Sequence, residues 1–529
     1  MNRRSMLASC MAGMGHLLAA PAVAQPAAAR IIRFVPFADL SSLDPIWTTA
    51  FNVRDHGYMV YDTLFATDAQ FSIRPQMAEG ADVSQDGRTW TIRLREGLLF
   101  HDGEPVRGND VIASLQRWSK RDGFGQSWAQ AVREMVATDD RTITFRLFKS
   151  FPLFITALGK LSSVVPFIMP ERIARTDAFQ QITDATGSGP FRFLPGEWQP
   201  GQRAAYARNE RYVPRTEPPS WAAGGKVVNV ERVELHILPD PATAAAALQT
   251  GEIDWWDEMQ PDLVPVIRRS RGARVIVRNQ LGTFVSMRFN CLHPPFDKAA
   301  VRRAVMLGIN QQDYALAVVG DDPELSRTCP SFFTCGTPYG ALEPIAGFNT
   351  PLRRASVDAA KAALAEAGYG GEKVLIIQAS EISNNRAMSA VTHDLLRRMG
   401  MNVELMATDW GTVVQRRANQ GPGQWSIFHT GWSGADNLDP AVNIQIRSNG
   451  GSAWFGWPNV PAIEAAREHW FAATTQEAAL AAAVEMQRHA FAAAPYVPLG
   501  MVRFPSGVRN EVQGIVPAPV PFFWNVRKG

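Results

Sequence analysis

Several things are scarce in this chain of 529 residues. Beyond its N-terminal segment there is no run of ~20 uninterrupted apolar residues, the length that a membrane-spanning helix needs. That excludes a helical membrane domain in the rest of the chain. Charge of one sign is not in excess: Lys+Arg is 53 and Asp+Glu is 50. A balanced surface gives no electrostatic reason to expect a nucleic-acid partner. The nine histidines are scattered and no His-Glu-x-x-His occurs, so no metal cage and no cofactor is expected. Cysteine is limited to four residues. Low-complexity and collagenous stretches are absent, which leaves a globular composition.

What is present is length, apolar residues and tryptophan. At 529 residues, 46% hydrophobic, the chain exceeds one ordinary core, and two or three domains are expected. Fifteen Trp is a high count. Trp is large, flat and amphipathic, so a surplus can line a concave site as well as fill cores. The N-terminus reads as a secretory signal: a basic Asn2-Arg3-Arg4-Ser5, apolar and small residues from Met6 to Ala20, and an Ala22-Val23-Ala24 cleavage site. The mature chain is expected to start at Gln25 and to be soluble and periplasmic. The Arg pair leaves the general and twin-arginine export routes both open. Cys10 precedes most of the apolar stretch and is not read as a lipid anchor.

Export into an oxidising compartment makes the cysteines readable. Cys329-Pro-Ser-Phe-Phe-Thr-Cys335 lies in a Pro/Gly-rich loop at a spacing that can close a small ring. A Cys329–Cys335 disulfide is expected there, with two free thiols as the alternative. Cys291 reads as a buried free thiol.

The organisation is α/β. Ile31 to Phe37 reads as a strand, and Ser41 to Pro45 as a turn. Two segments resemble each other, Val83 to Leu94 and Val136 to Leu147; each is a turn followed by strict apolar/polar alternation, a half-buried strand. A helix is expected between them, from Asn109 to Trp118. In the second half strands and helices alternate: helix Val357 to Ala367, strand Val374 to Gln378, helix Met388 to Met399, strand Val403 to Ala407, a helix from Gly411, and strand Ser426 to Thr430. That alternation predicts a mostly parallel sheet. Helices follow across Ile463 to Trp470 and Gln476 to Ala492.

At this point the sequence resembles a known family. The stretch from Arg74 to Gly97 is the densest match, continuing through Phe100-His-Asp-Gly-Glu-Pro-Val106 and Asn109-Asp-Val111. Leu43-Asp-Pro45, Gly187-Ser-Gly-Pro190, Leu248 to Asp254, Pro295-Phe-Asp297, Gly431-Trp432 and Asp439-Pro440 follow in order. Together they resemble the extracellular solute-binding proteins of family 5, the dipeptide, oligopeptide and nickel type serving ABC importers. The resemblance implies a two-lobed periplasmic-binding-protein fold with an additional β-rich subdomain. The expected division is a signal peptide over 1–24 and a first lobe over 25–65, 188–284 and 505–529. The subdomain spans 66–187 and the second lobe 285–504. Crossings between lobes are expected near Leu281 to Met287 and Met501 to Ser506. The implied partners are a short peptide or similar small solute and an inner-membrane permease, bound by a monomer. A metal chelate or other non-peptide solute is the alternative, and a secreted hydrolase the more distant one.

Each chemical-looking motif also has a structural reading. His101-Asp102-Gly103 can be a turn. Asp110 can cap a helix. Gly187 to Pro190 could hold phosphate on its backbone but lacks the Lys-Ser/Thr of a P-loop. Ser433, in Gly431-Trp-Ser-Gly434, has its second Gly one residue early for a nucleophile elbow. The ligand-facing candidates implied by the family are Trp47, Thr49 and Phe51 after the Leu-Asp-Pro turn, and Trp128 after the subdomain helix. In the second lobe they are Trp410, His429, Gly431, Trp432, Ser433, Gly434 and Asp436. In peptide-binding members an Asp after the Gly-Trp pair holds the ligand's amino group; Asp436 matches it with one extra residue intervening. His429 and Trp432 are expected to leave their strand on opposite sides.

Overall fold

Alternating sequence makes the first sheet easy to place. The structure, a computed structural model, describes residues 30–340, 352, 354–380 and 382–529. The expected signal segment, with Ala22-Val23-Ala24 and Cys10, lies outside the described residues. Strands Thr89–Leu94 and Thr142–Leu147, the two similar segments, pair antiparallel at the centre of a four-stranded sheet. Trp90 stands opposite Phe145 and Ile92 opposite Ile143. Ala78–Val83 and Val132–Ala137 form its edges. Ile92, Leu94, Ile143 and Phe145 are buried while Arg93 and Arg146 are exposed, as a one-faced sheet requires. Helices Gly108–Arg121 and Gly123–Ala131 pack beside this sheet. Asp110 accepts from the Arg107 N–H (2.7 Å) and the Glu171 N–H (2.7 Å), which caps the first of them.

The first lobe holds a seven-stranded sheet in the order Phe191–Phe193, Arg203–Arg208, Arg232–His236, Ile31–Val35, Trp255–Trp256, Ser506–Arg509 and Ala273–Ile276. Ile31–Val35 runs parallel to both neighbours, so three strands end at one edge. The second lobe holds a six-stranded sheet: Ser326–Arg327, Tyr496–Val502, Thr283–Phe289, Ile427–Ser433, Lys373–Ala379 and Asn402–Thr408. Here the expectation of a mostly parallel sheet needs correction. Only Lys373–Ala379 pairs parallel, with both its neighbours. The other pairings are antiparallel. The chain enters this lobe along Thr283–Phe289 and leaves along Tyr496–Val502; entry and exit at one end force the two strands to oppose.

The connectors between the large sheets are 277–282 and 503–505. The sequence reading placed the first of them at Leu281 to Met287, but the second-lobe strand already begins at Thr283. The two sides meet at Phe471, whose ring lies 5.8 Å from Phe124 and 6.1 Å from Phe151. The Ser163 N–H also donates to Asp436 (3.0 Å).

The Gly187 to Pro190 loop is a packing feature. The Gly189 N–H donates to the Val60 carbonyl (2.8 Å) and the Gly187 N–H to His101 Nδ1 (3.2 Å). A Cβ at Gly187 would sit 2.0 Å from the Val60 carbonyl oxygen. Those amides are occupied, so the phosphate reading falls, and His101 serves the same junction.

Candidate functional site between the lobes

Parallel strands that end together leave a crevice at their carboxyl edge, a common place for ligands in α/β folds. Here Phe34, Leu235 and the Asp257-Glu258 pair lie at or just beyond the ends of the three parallel strands and line one pocket. From the second lobe, Thr283 opens its strand and Ser433 closes its own at the same pocket. Helix Phe51–Val60 crosses the crevice and contributes Phe51, Asn52, Arg54 and Asp55. The Leu-Asp-Pro turn fixes that helix. Asp44 is buried, ion-paired with Arg117 (2.6 Å), and accepts from the N–H groups of Ile46 (3.0 Å) and Ile182 (3.1 Å).

The pocket's charges are organised in pairs. Arg278 donates to both oxygens of Asp257 at 2.9 Å. Arg54 donates to Asp55 through Nε (3.0 Å) and Nη2 (2.9 Å), while its buried Nη1 has no partner among the described residues. Burial opposes the charge on Arg54, but Asp55 and Asp436 outweigh it and hold the guanidinium above its ordinary value. Asp436 stands on the short turn Gly434–Asn437, 4% exposed. One carboxylate oxygen accepts from Ser163; the other, Oδ2, is buried without a partner among the described residues. Burial raises its affinity for a proton, and Arg54 pulls the other way. A buried polar atom left unpaired costs about 1–3 kcal/mol. An unpaired donor on one lobe and an unpaired acceptor on the other are groups that a ligand can satisfy.

The candidates from the sequence divide. Phe51, Ser433 and Asp436 meet at the seam between the lobes: Phe51 and Ser433 line the pocket, and Asp436 lies in the turn that begins directly after Ser433. Thr49 is exposed, and its carbonyl accepts from the Ser163 hydroxyl (3.1 Å) at the same seam. Trp47 is half-buried in a stack with Arg121, whose guanidinium lies 4.9 Å from both the Trp47 and the Phe179 rings. Trp432 packs edge-on to Trp454 (5.2 Å), and its indole N–H has no partner among the described residues. Trp410 is half-buried beside Arg417 (5.1 Å). Gly431 is exposed.

Three candidates are placed elsewhere than expected. Trp128 is fully buried, 5.5 Å from Phe154 and 6.0 Å from both Trp118 and Phe145, and so fills the subdomain core. His429 is fully buried on the other face of its strand from Trp432, between Ser389 (3.0 Å) and Thr392 (2.7 Å). Burial pushes its pKa down to about 3. That Ser–His contact has no access to a substrate. Gly434 is not free for ligand approach: its N–H donates to the Gly282 carbonyl (2.8 Å), and a Cβ would lie 2.6 Å from the Leu281 carbonyl oxygen. It lets the turn close against the connector between lobes.

Sequence reasoning missed Arg54, Asp55, Glu258, Arg278 and Arg417. Arg417 lies with its guanidinium 4.9–5.7 Å from the rings of Trp410, Phe428, Trp454 and Phe455. An Arg-Asp pair on the helix Phe51–Val60, next to the ligand-facing Phe51, was a usable signal. Glu258 and Arg278 had none, because each follows a short strand whose position in the sheet is set by distant pairing.

Cys329 and Cys335 are disulfide-bonded, and Cys291 is a half-buried free thiol. Inside the ring, the Thr334 N–H donates to the Asn437 carbonyl (2.9 Å) and its hydroxyl to the Gly434 carbonyl (2.7 Å). The ring therefore clamps both ends of the turn that carries Asp436. Among the described residues no cluster of three His, Cys, Asp or Glu could hold a metal ion, and no helix is long and apolar enough to cross a membrane.

Known proteins share this architecture. The family model for bacterial extracellular solute-binding proteins, family 5 (middle), matches residues 72–454. A probable peptide ABC transporter periplasmic-binding protein, y4tO, of Sinorhizobium fredii is 37% identical over 499 residues, 93% of this chain and 92% of that one. The nickel-binding periplasmic protein of Escherichia coli is 24% identical over 395 residues, 71% of this chain and 70% of its own length. The crystal structure of a dipeptide binding protein from Pseudoalteromonas with Met-Leu superposes with a TM-score of 0.78 at 20% identity, covering 94% of this chain and 100% of that one. The chain belongs to the bacterial extracellular solute-binding proteins of family 5.

Proposed function

We propose that this protein is the periplasmic capture component of an ABC importer, a monomer that closes two lobes on a short peptide or peptide-like solute and presents it to an inner-membrane permease. The observation that carries this reading is the pair of unsatisfied buried groups between the lobes, Arg54 Nη1 and Asp436 Oδ2. A peptide backbone offers a carbonyl to the first and an ammonium to the second. Phe51 and Trp432 add apolar surface on either side. The division into a lobe of 25–65, 188–284 and 505–529, a subdomain of 66–187 and a lobe of 285–504 belongs to this proposal. So does removal of residues 1–24 on export.

The relative named for peptide transport supports the peptide arm. The test is mass spectrometry of material released on denaturing the protein purified from its own periplasm, followed by calorimetry with the recovered compound. Recovery of short peptides that rebind is the expected result. Recovery of a metal chelate or a non-peptide solute overturns the peptide arm and leaves the capture role.

A further inference from the structure

The pocket at the carboxyl edge of the first-lobe sheet contains five charged side chains. Four of them form two ion pairs, Arg278 with Asp257 and Arg54 with Asp55. The fifth, Glu258, has no hydrogen bond or ion pair among the described residues. It is half-buried and lines the pocket. Its backbone is held in the left-handed region at φ 41°, which disfavours a side chain of this kind and needs a reason to persist. An unpaired carboxylate in a closing, water-poor cleft is costly, and the cost falls when an opposite charge arrives with the ligand.

We infer that Glu258 is the recognition group for a cationic side chain, so that the preferred ligand is a peptide bearing a basic residue in addition to its amino terminus. This rests on the peptide reading above. The division of labour then follows from the partners already present. Asp436 Oδ2 takes the terminal ammonium, Arg54 Nη1 a backbone carbonyl, and Glu258 the ammonium or guanidinium of a side chain. Neither arginine is hydrogen-bonded to Glu258; each donates to its own aspartate. Burial, with Asp257 beside it, pushes the Glu258 carboxyl up to about 8, against the pull of Arg278 and Arg54. Asp55 also faces it and pushes the same way as Asp257. His56, on the same helix as Asp55 and lining the same pocket, is held neutral by burial, with its pKa lowered to about 3. A cationic ligand must therefore expel a proton from Glu258 at neutral pH.

The test is calorimetry on the mature protein at pH 7 with alanine tripeptides carrying lysine, norleucine or glutamate at the first, second or third position. At one position the lysine peptide is expected to bind at least tenfold more tightly than its norleucine isostere, and the glutamate peptide more weakly than both. In buffers of differing ionisation enthalpy, lysine-peptide binding should release about one proton more than norleucine-peptide binding. In E258Q the lysine preference and the extra proton should both vanish. Peptides that bind with no lysine preference at any position overturn the inference and leave the peptide reading intact. So does a preference that survives in E258Q. If none of the peptides binds, the peptide reading fails and this inference with it. The lysine–norleucine comparison needs no variant, so it decides even if E258Q does not fold.

Discussion

At the residue scale, the seam between the lobes turns on Asp436. Its one free oxygen is matched by a buried guanidinium nitrogen from the facing lobe, so its chemistry is that of a charge-assisted anchor. Asp436→Asn should weaken trialanine binding by about 2–5 kcal/mol, since a buried charge of the ligand loses its partner. Trp432→Ala should cost about 2 kcal/mol through lost apolar surface. Calorimetry on both variants checks this, and unchanged affinity in both would move the site elsewhere. Two other buried side chains contribute to the acid limb of stability. His56 and His429 are neutral in the fold, each with a pKa lowered to about 3 by burial. The unfolded chain binds protons on these rings below about pH 6.5, and the fold does not until about pH 3. Their contribution is complete above pH 6.5 and is lost as pH falls, by about 2 kcal/mol per histidine at pH 5. Urea unfolding of the parent and of H429Q at pH 7.5 and 5.0 isolates one ring: between the two pH values the variant should lose about 2 kcal/mol less stability than the parent. Glu258 acts with the opposite sign. Its raised pKa means that the unliganded fold loses stability as pH rises from about 4.5 to about 8.

At the scale of elements, the disulfide ring and the Gly434–Asn437 turn form one unit. Thr334 holds both ends of that turn, and Gln311 fixes the start of the ring through the Cys329 N–H (2.6 Å) and carbonyl (2.9 Å). Replacing both cysteines by serine should cost about 2–3 kcal/mol of stability, the range for closure of so small a loop. It should also weaken ligand binding, because Asp436 is placed through Thr334. Urea unfolding and calorimetry on the same double variant measure the two effects; unchanged binding would mean that the turn holds its shape without the ring. The subdomain core makes a contrasting case. Trp128→Ala removes the centre of a Trp118–Phe145–Phe154 cluster and should destabilise by about 3–5 kcal/mol. Binding measured on the folded protein should not change, since Trp128 reaches no cleft.

At the scale of the whole molecule, two connectors, 277–282 and 503–505, join the sheets of the two lobes. Few segments crossing a boundary is the usual anatomy of hinge closure. A ligand favours the closed form only by contacting both sides, as Arg54 and Asp436 allow. Small-angle scattering should show a smaller radius of gyration with saturating ligand than without. Tight binding with no compaction, in protein shown to be open beforehand, would count against a hinge.

The sequence by itself determined the local elements and the family. Alternation in Thr89–Leu94 and Thr142–Leu147 made those strands readable, and apolar periodicity did the same for helices such as Val357–Glu366. The family resemblance, rather than periodicity, pointed to Asp436, Ser433 and Phe51, which lie at the seam between the lobes. Tertiary structure alone decided what depended on pairing over long distances. Trp128 and Phe51 are both aromatic residues on helices, yet one is fully buried in a core and the other lines a pocket. His429 and Trp432, three residues apart on one strand, were expected to face opposite sides and do so. Which side met the cleft was fixed by the helix Ser383–Arg398 packing over His429. Glu258 and Arg278 come together because strands far apart in sequence end at one sheet edge, and Arg54 joins them from the helix that crosses it. Side-chain period follows from the chain's own geometry, whereas the neighbour across a cleft follows from how separate elements pack.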